Sequence, residues 1–136
     1  MALFARTYLR GRSQHIRRKR RRRGDVEYEL LPLLVKSDCA AIDVGANRGV
    51  YTFPMALRAT HVWAYEPNPW IAGYLAAGVP TNVTVHNKAV SDEAGTVTLR
   101  VPKRANGSLE HNRGSIERYS DEGMARADVA SVRLDD

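Results

Sequence analysis

The feature that most constrains this chain is one junction: residues 40–44 are a short apolar run closing on Asp43 and Val44, and Gly45 leads from it into a stretch of helical length. The run shows no polar and apolar alternation, so it reads as a strand buried on both faces, the pattern of a parallel sheet. Parallel neighbours need crossovers, and the sequence supplies them. Residues 49–59 form a candidate helix carrying Tyr51, Phe53, Met55, Ala56 and Leu57, with Pro54 tolerable only near its first turn. A second strand follows at 61–65. Residues 69–77 then make a second helix with Trp70, Ile71, Tyr74 and Leu75 as its apolar material and Gly78 at its end, before a third strand at 83–90. Strand, helix, strand, helix, strand predicts right-handed crossovers and an α/β class, a Rossmann-like, doubly wound and mostly parallel sheet rather than a sandwich.

The flanks are less regular. Residues 26–36 place Leu30, Leu31, Leu33 and Leu34 on a short apolar face interrupted by Pro32, a helix or turn that covers the sheet edge. Past the third strand, 92–95 make a turn and 96–101 alternate as a half-exposed strand, placed for a hairpin with 83–90. Residues 102–128 are polar and longer than most connections inside a compact domain, so they are either disordered or a binding element. Residues 129–134 begin another strand, which leaves the sheet truncated. Trp63 and Trp70 read as core or sheet-covering aromatics, and Cys39 as a core thiol.

Composition bounds the rest. With 136 residues, 43% hydrophobic and 26% charged, there is room for one globular domain of modest size. The net charge of +6 is unevenly placed: residues 1–24 hold ten of the 21 Lys and Arg residues and no acid. Residues 17–23 are seven consecutive cations, a block that repels itself and cannot enter a packed core. The expected organisation is therefore a disordered basic tail over 1–24 and a partial domain over 25–136. The tail is either simply solvated or a contact for nucleic acid or an anionic surface. No run approaches membrane-spanning length, a single cysteine allows no internal disulfide, and His15, His61, His86 and His111 lack zinc-site spacing. A cytoplasmic protein without a metal is expected.

Chemistry concentrates at Asp43-Val44-Gly45-Ala46-Asn47-Arg48-Gly49, at the carboxyl end of the first strand. In doubly wound sheets ligands bind in that crevice. Gly45 supplies the tight turn and close backbone approach, Asn47 tolerates a left-handed conformation, and Gly49 permits close helix packing. The glycines are four apart with Asn between them, which departs from G-x-G-x-x-G and weighs against NAD and FAD. Glu66 ends the second strand, where an acid binds both hydroxyls of a ribose. Both groups converge on one nucleoside. Glu110 and His111, in the polar loop, are within conceivable reach of a substrate but read better as solvated loop residues.

Residues 41–52, Ala64-Tyr65-Glu66-Pro67-Asn68-Pro69 and 87–92 together resemble successive motifs of FkbM-type methyltransferases, and 131–136 is similar to the segment before that family's fourth core strand. The resemblance implies S-adenosylmethionine as cofactor. It implies that Asp43, Gly45, Asn47 and Gly49 hold its methionine end, that Glu66 binds its ribose, that Ala89 and its neighbours border the adenine, and that Ala46, Tyr51 and Pro67 also contact the cofactor. It further implies methyl transfer to an oxygen of a sugar or other small hydroxyl-bearing acceptor. The family's next segment lies beyond Asp136, so no catalytic residue is named. A truncated parallel sheet leaves an unpaired edge, from which a homodimer or instability is expected.

Overall fold

The computed structural model describes residues 26–116 and 122–135. The expected tail at 1–24 lies outside these residues. The described chain is α/β, built as two small sheets with three helices packed on one side of the first. In chain order the elements are helix α1 (Val26–Leu34), strand β1 (Ala41–Val44), helix α2 (Thr52–Ala56), strand β2 (Val62–Tyr65), helix α3 (Pro69–Ala76), strand β3 (Val83–His86), strand β4 (Ala89–Val90), strand β5 (Gly95–Pro102), a 3₁₀ turn (His111–Arg113) and strand β6 (Met124–Val132).

The first sheet has the order β1-β2-β3, and all its pairs are parallel. Its register aligns Ala41 with Val62 and Val83, and Val44 with Tyr65 and His86. Strand alternation then decides which side chains meet the helices. Val62, Ala64 and Val83 join Tyr28, Leu31 and Val35 of the α1 segment, Phe53 and Ala56 of α2, and Leu75 of α3 in one buried cluster. Phe53 is fully buried and Leu75 is 1% exposed. Each contributes about 2–3 kcal/mol by leaving water.

The opposite face of this sheet is bare. Ile42, Val44 and Trp63 are 46%, 53% and 38% exposed. The expected strand at 40–44 is therefore correct in place but buried on one side, because the helices that follow β1 and β2 pack on the same face. An apolar run of four or five residues looks the same in either case. Helix α2 is also shorter than expected. Its carbonyl ends are taken up by Asn82, whose Nδ2 donates to the Ala56 and Ala59 carbonyls at 3.0 and 3.2 Å. Such a cap halts propagation after a few residues.

Helix α3 follows its expected bounds within a residue. Asn68 caps it, accepting from the Trp70 amide at 3.1 Å, and Pro69 occupies the first turn. Trp70, expected as a core or sheet-covering aromatic, is instead 74% exposed, and Tyr74 is 56% exposed, while Ile71, Ala72 and Leu75 face inward. Cys39 is exposed, not a core thiol.

The third expected strand divides. β3 stops at His86, and β4 starts at Ala89 in the other sheet. The break is pinned by Asn87, whose Nδ2 donates to the Glu66 and Pro67 carbonyls, both at 2.9 Å. The second sheet has the order β4-β6-β5. β6 pairs antiparallel with β5 from Gly95–Ser131 to Pro102–Met124, and parallel with β4. The expected hairpin of 96–101 with 83–90 is thus replaced by pairing with β6, which starts five residues earlier than the sequence indicates. Ala89, Leu99, Val101 and Val129 form its core, with Val97, Leu109 and Ile116 packed against them.

The polar stretch after β5 is largely structured where described. Arg100 bridges to Ser115 and Lys103 to Leu109. Asn68 Nδ2 donates to the His111 carbonyl at 3.2 Å, tying the 3₁₀ turn to the start of α3. No helix among the described residues is long and apolar enough to cross a membrane.

Candidate functional site

The crevice forms at the carboxyl ends of β1 and β2, where the chain turns sharply. Gly45, Asn47 and Gly49 all take positive φ, at 73°, 48° and 80°. A side chain at Gly49 has no room: a Cβ there would lie 2.6 Å from the Phe53 ring and 2.7 Å from Leu75. At Gly45 nothing stands within 4 Å of that position, so its conformation and the open space beside it, not packing, call for glycine.

Glu66 holds this turn in place. Its Oε2 accepts from the Asn47 amide at 2.8 Å and its Oε1 from the Asn68 amide at 2.9 Å. The residue is only 6% exposed. Burial pushes its pKa up, the two amides pull it down, and the nearby Asp43 charge adds to the rise. Asp43 is also 6% exposed and accepts from the Thr52 hydroxyl at 2.5 Å. Burial again raises its pKa, against the Thr52 hydrogen bonds that lower it. Two buried acids in electrostatic contact therefore lie behind the turn.

Two cavities open on either side of Gly45. One, of about 330 Å³, lies between the two sheets and is lined by Val44, Gly45, Tyr65, Pro67 and Lys88–Val90 together with Leu99 and 114–116. Tyr65 stacks on His86, with ring centroids 4.8 Å apart and planes 19° from parallel. The other cavity, of about 560 Å³, is lined by Gly45, Ala46, Asn47, Arg48, Val50, Tyr51 and Arg104. Arg48 also lies over the Tyr74 ring, 5.9 Å from its centroid. Arg104 pairs with Glu110 at 3.1 Å, which with Arg113 holds the Glu110 carboxyl below its ordinary range.

The sequence-derived residues separate into three sets. Gly45, Ala46, Asn47 and Tyr51 line the polar cavity; Gly45, Pro67 and Ala89 line the apolar one. Glu66 lines neither cavity and holds the turn between them through the Asn47 amide. Asp43 and Gly49 line neither cavity and act on the turn from behind, through Thr52 and through Phe53 and Leu75. Sequence reasoning missed Tyr65, Leu99, Arg104 and 114–116. The last of these come from the polar stretch, and its length was their only signal.

The fold and site define an α/β chain with a two-lobed crevice at the ends of parallel strands. No protein-family model matches the chain, and no curated protein matches it. The chain is similar to the solved structure of precorrin 8W decarboxylase from Methanobacterium thermoautotrophicum, with 15% identity and a TM-score of 0.37, over 74% of this chain and 84% of that chain. A likeness of that size carries no activity across. The comparisons overturn the expected family and function: neither a family model nor a curated protein supports an FkbM-type methyltransferase. Short motif likeness around a glycine turn is shared by many α/β proteins, which is how residues 41–52 and 64–69 misled.

Proposed function

We propose that the crevice binds a ribonucleoside-bearing small molecule. The observation that carries this reading is the meeting of the two lobes at Gly45, with Glu66 behind the turn. The apolar lobe, walled by Tyr65, Pro67, Ala89 and Leu99, suits a flat base. The polar lobe, with the turn and two guanidinium groups, suits a charged substituent on the sugar's far side. Glu66 supports this reading by fixing the turn that both lobes share, each of its oxygens accepting one backbone amide.

The fold favours the same reading. The unit from β1 to β3 has parallel strands in sequential order with its helices on one face, as in the opening half of a Rossmann-like, doubly wound sheet. S-adenosylmethionine is one candidate ligand, and adenosine is the minimal one.

Isothermal titration of adenosine, S-adenosylmethionine and NAD into the purified chain tests the proposal, with Glu66→Ala and Gly45→Val as controls. Saturable binding of adenosine or S-adenosylmethionine, lost in both folded variants, is expected. A folded parent chain that binds none of the three overturns it.

A further inference from the structure

Helix α1 has two apolar faces, and the fold uses one. Tyr28, Leu31 and, just past the helix, Val35 are buried against the first sheet's helices, at 3%, 6% and 8% exposure. Tyr28 meets Tyr51 with ring centroids 6.0 Å apart. Arg58 fastens the other end, donating from Nη2 to the Pro32 carbonyl at 3.2 Å and from Nε to the Val35 carbonyl at 3.4 Å. The helix is therefore anchored, and its outward surface is fixed.

That surface is apolar. Val26, Leu30, Leu33 and Leu34 are 64%, 41%, 73% and 70% exposed. Their spacing of four, seven and eight residues places them in one stripe about 100° wide. Four large aliphatic side chains left in water on one face of a nine-residue helix mark an interaction surface. Its charge context selects the occupant. In the sequence only Gly24 and Asp25 separate this helix from the seven consecutive cations of residues 17–23. The flanking acids Glu27 and Glu29 are far outnumbered.

We propose that α1 docks on an anionic lipid bilayer, its Val26, Leu30, Leu33 and Leu34 face entering the headgroup boundary while the adjoining cations engage anionic lipid headgroups. An apolar stripe and a cationic block are the two signals that interfacial attachment requires together, since either one alone binds only weakly. A nucleic acid would use the cations and leave the leucines unexplained. A second copy of the chain would cover the leucines and bring two blocks of like charge together. The surface lies apart from the crevice, so the inference stands whether or not a nucleoside binds there.

Vesicle co-sedimentation of the full chain tests it, with phosphatidylcholine vesicles compared against vesicles that also contain phosphatidylglycerol. Binding confined to the anionic vesicles and weakened by salt is expected. The triple variant Leu30→Gln, Leu33→Gln and Leu34→Gln should lose about tenfold or more in vesicle affinity, as should a chain with residues 17–23 changed to Gln. The three leucines lie outside the core clusters, and circular dichroism checks that each variant is folded. Undiminished vesicle binding by the triple variant overturns the proposal. So does a parent chain that is dimeric by sedimentation and becomes monomeric in the triple variant, or one that prefers single-stranded RNA over anionic vesicles.

Discussion

The Glu66 carboxylate accepts a hydrogen bond from the Asn47 amide at 2.8 Å, across 19 residues of chain. Asn47 is the non-glycine residue with positive φ among the described residues, so the acid stabilises a backbone conformation that the side chain alone disfavours. Its other oxygen performs the same service for the Asn68 amide at the start of α3.

Glu66→Gln should therefore be costly despite its matching size. A glutamine offers one acceptor oxygen, and its NH₂ would face one of the two amides. Leaving a buried donor unsatisfied costs about 1–3 kcal/mol. Urea denaturation monitored by circular dichroism should show a lowered midpoint with an unchanged slope. An unchanged midpoint would mean that the amides find other acceptors.

Asp43→Asn should behave oppositely at neutral pH, since an asparagine oxygen still accepts from Thr52 and removes a buried charge. Burial raises the pKa of both Asp43 and Glu66 above their ordinary values of 3.8 and 4.5. The folded state thus binds protons more tightly than the unfolded chain in the window just above those values. The stability so gained is full below the ordinary values and is lost as pH rises through the raised ones. The stability of Asp43→Asn relative to the parent should increase from acidic to neutral pH. A pH-independent difference in denaturation midpoints would show that Asp43 does not titrate abnormally.

The two turn glycines should differ in their tolerance of alanine. Gly49→Ala forces a methyl group against Phe53 and Leu75 at positive φ, for a loss of about 3 kcal/mol. Gly45→Ala meets no neighbour within 4 Å and carries only the backbone penalty of about 1–2 kcal/mol. Thermal melts of the two variants should therefore separate clearly, with Gly49→Ala the lower. Equal melting temperatures would mean that Phe53 and Leu75 repack freely.

Tryptophan fluorescence offers a direct check on α3. Trp70 is 74% exposed and Trp63 is 38% exposed, so Trp70→Phe should remove most of the acrylamide-quenchable emission. Emission that stays readily quenched in this variant would place the accessible ring at Trp63.

The first sheet was legible because its strands are bounded by strong local punctuation: Gly45 after β1, the Pro67 and Pro69 pair after β2, and Gly78 after α3. The second sheet was not, because β6 derives its place from β5 and β4. Residues 124–128, Met-Ala-Arg-Ala-Asp, have little intrinsic strand character and are extended by pairing with Thr98 to Pro102. The same reason hid half of the apolar cavity, whose far wall is Leu99 and residues 114–116. For Gly45 and Asn47 the turn chemistry is local and could be read directly, whereas the hydrogen bond from Asn47 to Glu66, 19 residues away, could not. The family likeness drawn from those same residues could not bear the weight of a function.

Asn87 and Lys88 carry the chain from one sheet to the other, and the apolar cavity is the seam beside that step. A molecule seated there touches Val44 and Tyr65 on one side and Ala89 and Leu99 on the other. It would act as mortar between two thin walls, adding to the ties that Asn87 and the Asn68–His111 hydrogen bond make between them. Resistance to unfolding would then rise with ligand concentration, by an amount set by the ligand's dissociation constant.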